Sequence, residues 1–187
     1  CVVVDPGCLS EQENESLASF IRTKGYRPEA ILFTHLHLDH VFGSRFAKEH
    51  FQVKTLSHAD DIAILNNTRN YASMFGINLV HDPATIDITV HHDEEVSFGH
   101  STLRVIHVPG HSPGSVVYYS AADGFCIVGD VLFRQSIGRT DLPGGDHQTL
   151  ISGIQKYLMV LPDETVVYPG HGPSTTIGFE KENNPYF

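Results

Sequence analysis

The stretch Thr34-His35-Leu36-His37-Leu38-Asp39-His40 places four metal-capable side chains directly behind the apolar run Ala30-Ile31-Leu32-Phe33. A short apolar run with polar residues behind it reads as a buried strand ending at Thr34. A strand that ends in such a loop presents imidazoles and a carboxylate at the rim of a sheet. Function concentrates at such rims, because a rigid scaffold positions the loop. Residues two apart in extended chain point the same way, so His35 and His37 can share one metal ion. Asp39 and His40 fall where a helix is expected to begin, which turns them toward a second position beside the first. The plain alternative is a polar loop with Asp39 as a helix cap.

Size and charge narrow the classes. The chain has 187 residues, enough for one domain with a proper core. Apolar content of 41% and charged content of 18% fit a globular protein in water, and no run reaches the length of a membrane span. A formal net charge of −10 argues against nucleic acid as a partner, because phosphates call for a basic footprint. Bound divalent ions would offset part of that charge. The three cysteines, Cys1, Cys8 and Cys126, match no disulfide framework or zinc ribbon. They are expected to be reduced, which fits a cytoplasmic setting. Cys126 sits in an apolar strand-like run and reads as an inert core thiol.

Strands and helices alternate along the chain. Val2–Val4 reads as a strand followed by an Asp5-Pro6-Gly7 turn. Ser10 and Glu13 form a capping-box signature for a helix from about Glu11 to Lys24, stopped by Gly25. A short helix over Val41–His50, a strand over Val53–Leu56 and a short helix over Ala59–Leu65 are expected next. Residues 66–83 fit either a mobile helix or a flap. Val96–Val108, Ser115–Tyr119, Phe125–Val128 and Thr165–Tyr168 read as strands. Asp146 is placed to cap a helix with Leu150, Ile154, Tyr157 and Leu158 on its apolar face, and Gly178–Phe187 reads as a polar end. This mixture predicts a layered α/β domain with a mixed sheet.

Three later residues follow strand-like segments and complete a pattern. His111 lies in Pro109-Gly110-His111-Ser112-Pro113-Gly114, Asp130 ends the run Ile127-Val128-Gly129, and His171 lies in Pro169-Gly170-His171-Gly172-Pro173. A histidine in a turn means little alone. Five histidines and two aspartates at strand-to-loop junctions make two coordination sets. His35, His37 and His111 would hold one metal, and Asp39, His40 and His171 the other. Asp130, with two carboxylate oxygens, would bridge them. Nitrogen and carboxylate donors suit zinc, and also iron or manganese. The histidines at 58, 81, 91, 92, 100, 107 and 147 fall outside this pattern and read as surface or core residues.

Thr34–His40, followed in order by His111, Asp130 and His171, resembles the signature of the metallo-β-lactamase superfamily. Asp5-Pro6-Gly7 is similar to its early turn, whose aspartate supports the ligand loops. The resemblance implies a four-layer αββα sandwich formed by residues 1–187 as a single domain. Most of the family's opening strand pair is expected upstream of Cys1. Within the superfamily, Pro109–Gly114, Gly138-Arg139-Thr140-Asp141-Leu142-Pro143-Gly144-Gly145-Asp146 and Pro169–Gly178 resemble short glyoxalase II-like hydrolases. The C-terminal helical domain of full-length glyoxalase II is not represented here.

The resemblance implies two divalent ions, zinc first, and a metal-bridging hydroxide that attacks a thioester such as S-D-lactoylglutathione. Asp39 and Asp130 are then both ligands and catalytic carboxylates. Arg139 stands where related enzymes offer a basic residue to a glutathione carboxylate; an ion pair with Asp141 that only shapes the loop is the other reading. The rivals are a persulfide dioxygenase, with one iron on His35, His111 and Asp130, and a non-catalytic scaffold. Such dioxygenases share the Gly138–Asp141 run, whereas Leu142-Pro143-Gly144-Gly145 looks more like the hydrolases.

Overall fold

The computed structural model describes residues 1–187, which gather into two units: 1–90 with 98–100, and 91–97 with 101–187. The first unit is built on four strands, β1 (Val2–Val4), β2 (Ala30–Leu32), β3 (Lys54–His58) and β4 (Ile88–Val90), in the order β1-β2-β3-β4. All neighbours are parallel, with Val3 opposite Ile31, Leu32 opposite Leu56 and His58 opposite Val90. Parallel neighbours need crossovers, and helices supply them. Helix α1 (Glu11–Thr23) starts as its sequence predicts, with both halves of the Ser10/Glu13 capping box formed, and Gly25 follows it at φ +67°. Ile31, Phe33, Leu36 and Val41 are fully buried and make the heart of this unit's core with Val3, Ile21 and Ala47.

The helix expected over Val41–His50 is two helices, α2 (Leu38–Val41) and α3 (Ser44–Phe51). The break has a steric cause at Gly43. Its amide donates to Pro6 O at 2.8 Å, and a Cβ there would lie 2.9 Å from that oxygen and from Cys8 Cβ. The first loop of the chain therefore presses into the helix junction. A 3-10 turn (Ala59–Asp61) and α4 (Ile62–Asn66) follow β3, and α5 (Thr68–Met74) lies within residues 66–83, where a helix or a flap is expected. Met74, Phe75 and Val80 are exposed there.

The other sheet has six strands, all within the second unit but for Phe98: β5 (Glu95–Phe98), β6 (Ser101–His107), β7 (Val116–Ser120), β8 (Phe125–Gly129), β11 (Val166–Pro169) and β12 (Thr175–Thr176). They lie in the order β12-β11-β8-β7-β6-β5, and a separate hairpin pairs β9 (Leu132–Phe133) with β10 (Ser136–Ile137). β6 is antiparallel to β7, β7 is antiparallel to β8, and β8 is parallel to β11, so β6, β8 and β11 all run one way. Asp146 caps α6 (His147–Gly153) by accepting from Thr149 N at 2.7 Å, and the helix passes into a π turn over Ile154–Leu158. Leu150, Ile154 and Leu158 are fully buried against Val117, Val128 and Val167, with Tyr157 at the margin, as the apolar spacing predicts.

The polar end, in contrast, is a helix, α7 (Ile177–Asn183), capped by Thr176. Its Glu180 is fully buried. That carboxylate accepts from Gln135 N and Asn184 Nδ2, each at 2.8 Å, and from the Thr175 hydroxyl. A charged side chain on the inner face of a short helix hides its periodicity from a sequence reading. No helix of the structure is long and apolar enough to cross a membrane.

Candidate metal centre

In the first unit the histidine loop leaves the carboxyl end of β2. His35 and His40 are buried, with ring centroids 4.0 Å apart, and His37 stands edge-on to His35 at 4.8 Å. Asp5, at the carboxyl end of β1, supports the loop. Its Oδ1 accepts Thr34 N at 2.8 Å, while Oδ2 accepts the Thr34 hydroxyl and His40 Nδ1, the latter at 3.0 Å. The Thr34 proton is thereby committed, so the 3.1 Å contact between Thr34 Oγ1 and His35 Nδ1 has the imidazole as donor. Both rings carry their proton on Nδ1, which makes Nε2 the lone-pair nitrogen of each. This is how metal-ligating histidines are held in register. Asp5 adopts φ 45°, and Gly7 lets the turn close: a Cβ there would sit 2.1 Å from Asp39 O.

Asp39 occupies the first turn of α2 while His37 takes the N-cap position, so Asp39 is not the cap. Its side chain is half exposed, with Oδ2 3.8 Å from His40 Nε2.

In the second unit, His111, Asp130 and His171 follow β6, β8 and β11. Those strands run the same way, so the three residues leave one end of the sheet. Gly170 N donates to Gly129 O at 2.8 Å, which keeps the turns after β8 and β11 side by side. Asp130 Oδ2 lies 3.8 Å from His111 Nε2 and 3.6 Å from His171 Nε2. One oxygen therefore faces both imidazoles. These separations exceed hydrogen-bond length. They lie near the roughly 3.4 Å between two donors that share a tetrahedral ion at about 2.1 Å. His111 Nδ1 donates to Arg139 O at 2.8 Å, so its Nε2 is again the lone-pair nitrogen. Gly138 makes this approach possible, because a Cβ there would lie 1.8 Å from Asp130 O and 3.2 Å from His111 Nδ1.

The Arg139 side chain has a partner of its own. Its Nε and Nη2 meet the two oxygens of Asp141 at 2.7 and 2.8 Å. This fork raises the Arg139 pKa and lowers that of Asp141 to about 2. Cys126 is buried in β8, and desolvation pushes its thiol up to about 12, as expected of an inert core cysteine.

Sequence reasoning missed three supports. Arg139 acts on His111 through its backbone, which no side-chain pattern reveals. His107, read as a surface or core histidine, donates from Nε2 to Pro113 O at 2.8 Å and so spans the base of the His111 loop. Asp61, fully buried, accepts Leu36 N at 3.0 Å. Its one cue is the Asp60-Asp61 pair just past the end of a strand.

The family model of the metallo-β-lactamase superfamily matches residues 1–171, which span the histidine loop, His111, Asp130 and His171. The chain belongs to this superfamily. Its relatives include the probable metallo-hydrolase YqgX of Bacillus subtilis, 38% identical over 100% of this chain and 86% of that protein. Hydroxyacylglutathione hydrolase GloC of Haemophilus influenzae is 35% identical over 98% of this chain and 85% of its own length. Among solved structures, TTHA1623 in a di-iron-bound form has a TM-score of 0.88 and 36% identity, covering 100% of this chain and 89% of that one. BLEG-1 B3 metallo-β-lactamase has a TM-score of 0.88 and 37% identity, covering 98% and 86%. The chain thus has the α/β metallo-β-lactamase fold and is a member of a metallo-hydrolase superfamily whose fold binds divalent metal ions.

Proposed function

We propose that residues 1–187 form one functional domain, a dinuclear metal-dependent thioester hydrolase of the glyoxalase II-like type. The observation that carries this reading is the aim of Asp130 Oδ2 at both His111 and His171, the arrangement expected of a bridging ligand. His35, His37 and His111 would hold one ion, Asp39, His40 and His171 would hold the other, and Asp130 would join them. The family match over residues 1–171 covers all seven of these residues. Zinc suits the donors, and a relative with two irons keeps iron in contention. When bound, such a pair lowers the pKa of a water to roughly neutral and polarises the carbonyl it would attack.

The chain's own part is orientation. Asp5 and the Arg139 carbonyl fix the imidazole tautomers, and Asp130 sets the spacing. Arg139 is offered to a carboxylate of an anionic substrate such as S-D-lactoylglutathione. Asp141 already occupies its fork, so the substrate carboxylate has to share or displace that partner. The likeness to the glutathione-thioester hydrolase supports this substrate class.

The test is metal content together with turnover. Protein purified without chelators should carry about two ions per chain, and it should release free thiol from S-D-lactoylglutathione faster than it opens a β-lactam. A single iron with oxygen uptake on glutathione persulfide would replace this reading with the dioxygenase. Preference for a β-lactam would move the substrate class toward that of BLEG-1, and no bound metal would leave a scaffold.

A further inference from the structure

Strand β2 lies between β1 and β3, and each neighbour returns one carboxylate to the loop that leaves β2. From beyond β1, Asp5 takes the amide of Thr34. From beyond β3, Asp61 takes the amide of Leu36. These two amides alternate with His35 and His37, so Thr34 and Leu36, the residues that flank His35, are each held at their backbone N–H from opposite flanks of the strand. The β2–β3 ladder still pairs backbone with backbone at Phe33 N→Leu56 O, 2.9 Å; by Leu36 the partner is a side chain. The 3-10 turn that delivers Asp61 is itself braced, with His58 Nδ1 accepting Asp60 N at 3.3 Å. Asp61 and Leu36 are both fully buried. A carboxylate in such a place carries a steep desolvation cost and persists only where its hydrogen bonds matter.

We propose that Asp61 is a positioning residue of the metal centre, the counterpart of Asp5, and that its bond to Leu36 N sets the angle between the His35 and His37 side chains. This rests on the dinuclear reading above. Asp61 belongs to none of the proposed ligand sets; it acts through the Leu36 peptide.

The experiment loads Co(II) into metal-free wild type, Asp61→Ala, Asp61→Asn and a core control, Ile21→Ala. It records Co(II) affinity, the visible ligand-field spectrum and hydrogen exchange at the Leu36 amide. Asp61→Ala should weaken Co(II) binding about 10–100-fold, the usual effect of losing a group that orients a ligand. Its spectrum should shift, and Leu36 should exchange faster. Asp61→Asn keeps an acceptor oxygen and should restore most of all three. Ile21→Ala should lower the melting temperature and leave the spectrum alone. A folded Asp61→Ala with wild-type affinity, spectrum and Leu36 exchange overturns the proposal. So does a spectral change of equal size in Ile21→Ala. Should wild type take up no Co(II), the dinuclear reading fails, and Leu36 exchange alone then decides the role of Asp61.

Discussion

Asp130 Oδ2 faces two imidazoles that arrive from different turns, and that makes it the most exacting residue of the site. Asp130→Ala should lose bound metal and thioesterase activity together, each by at least about a hundredfold, the upper range for lost support of a metal ligand. Elemental analysis beside steady-state rates checks this, and a full metal complement in the variant would refute the ligand assignment. Asp141 offers a second prediction at this scale. Its carboxyl is held low, to about 2, chiefly by the hydrogen bond from Arg139. A depressed carboxylate keeps its ion pair above the ordinary carboxylate range and loses it as pH falls through about 2. The carboxyl carbon signal of Asp141 should therefore titrate near that value, and Arg139→Gln should move the midpoint up toward about 4. An unmoved midpoint would show that the fork seen here does not persist in solution. Both groups are exposed and water screens the pair, so the effect belongs to the titration and not to global stability.

At the level of elements, legibility followed periodicity. α1 could be read to within a residue because Ser10, Glu13 and Gly25 punctuate it. β2, β8 and β11 were readable because their apolar runs stop at residues with chemistry. The proposed ligands stood out for a related reason: His35, His37, His111, Asp130 and His171 follow strands, and Asp39 and His40 open the helix behind one. The α2–α3 break was not readable, since it arises from Pro6 and Cys8 pressing on Gly43, a contact between residues far apart in sequence. The supports of the imidazoles were hidden for a related reason: a carbonyl such as that of Arg139 has no sequence signature. α7 was missed because its buried face includes Glu180. That glutamate is a testable element of the fold. Glu180→Ala would strip the acceptor from the Gln135, Thr175 and Asn184 donors and should cost about 3 kcal/mol, measurable by urea unfolding. Glu180→Gln, which keeps one acceptor oxygen, should cost less. Equal stabilities of wild type and Glu180→Ala would show that the three bonds contribute nothing net.

For the molecule as a whole, a metal pair held by the proposed ligands would stabilise the fold by mass action. An ion held at a thousandfold above its dissociation constant contributes about 4 kcal/mol. Chelation should lower the melting temperature by several degrees, and added Zn(II) should restore it; identical melting curves would show that metal binding and folding are uncoupled.

The chemistry also has a direction. Within the second unit, His111, Asp130 and His171 all sit where β6, β8 and β11 finish, whereas the Asp123-Gly124 turn sits where β8 begins. Gly124 has φ +67° and nothing within 4 Å of where a Cβ would stand. That turn is accordingly the natural point of attachment: a peptide tag, a fluorophore or a tether to a solid support placed there would hold the second unit by the end of its sheet opposite His111, Asp130 and His171.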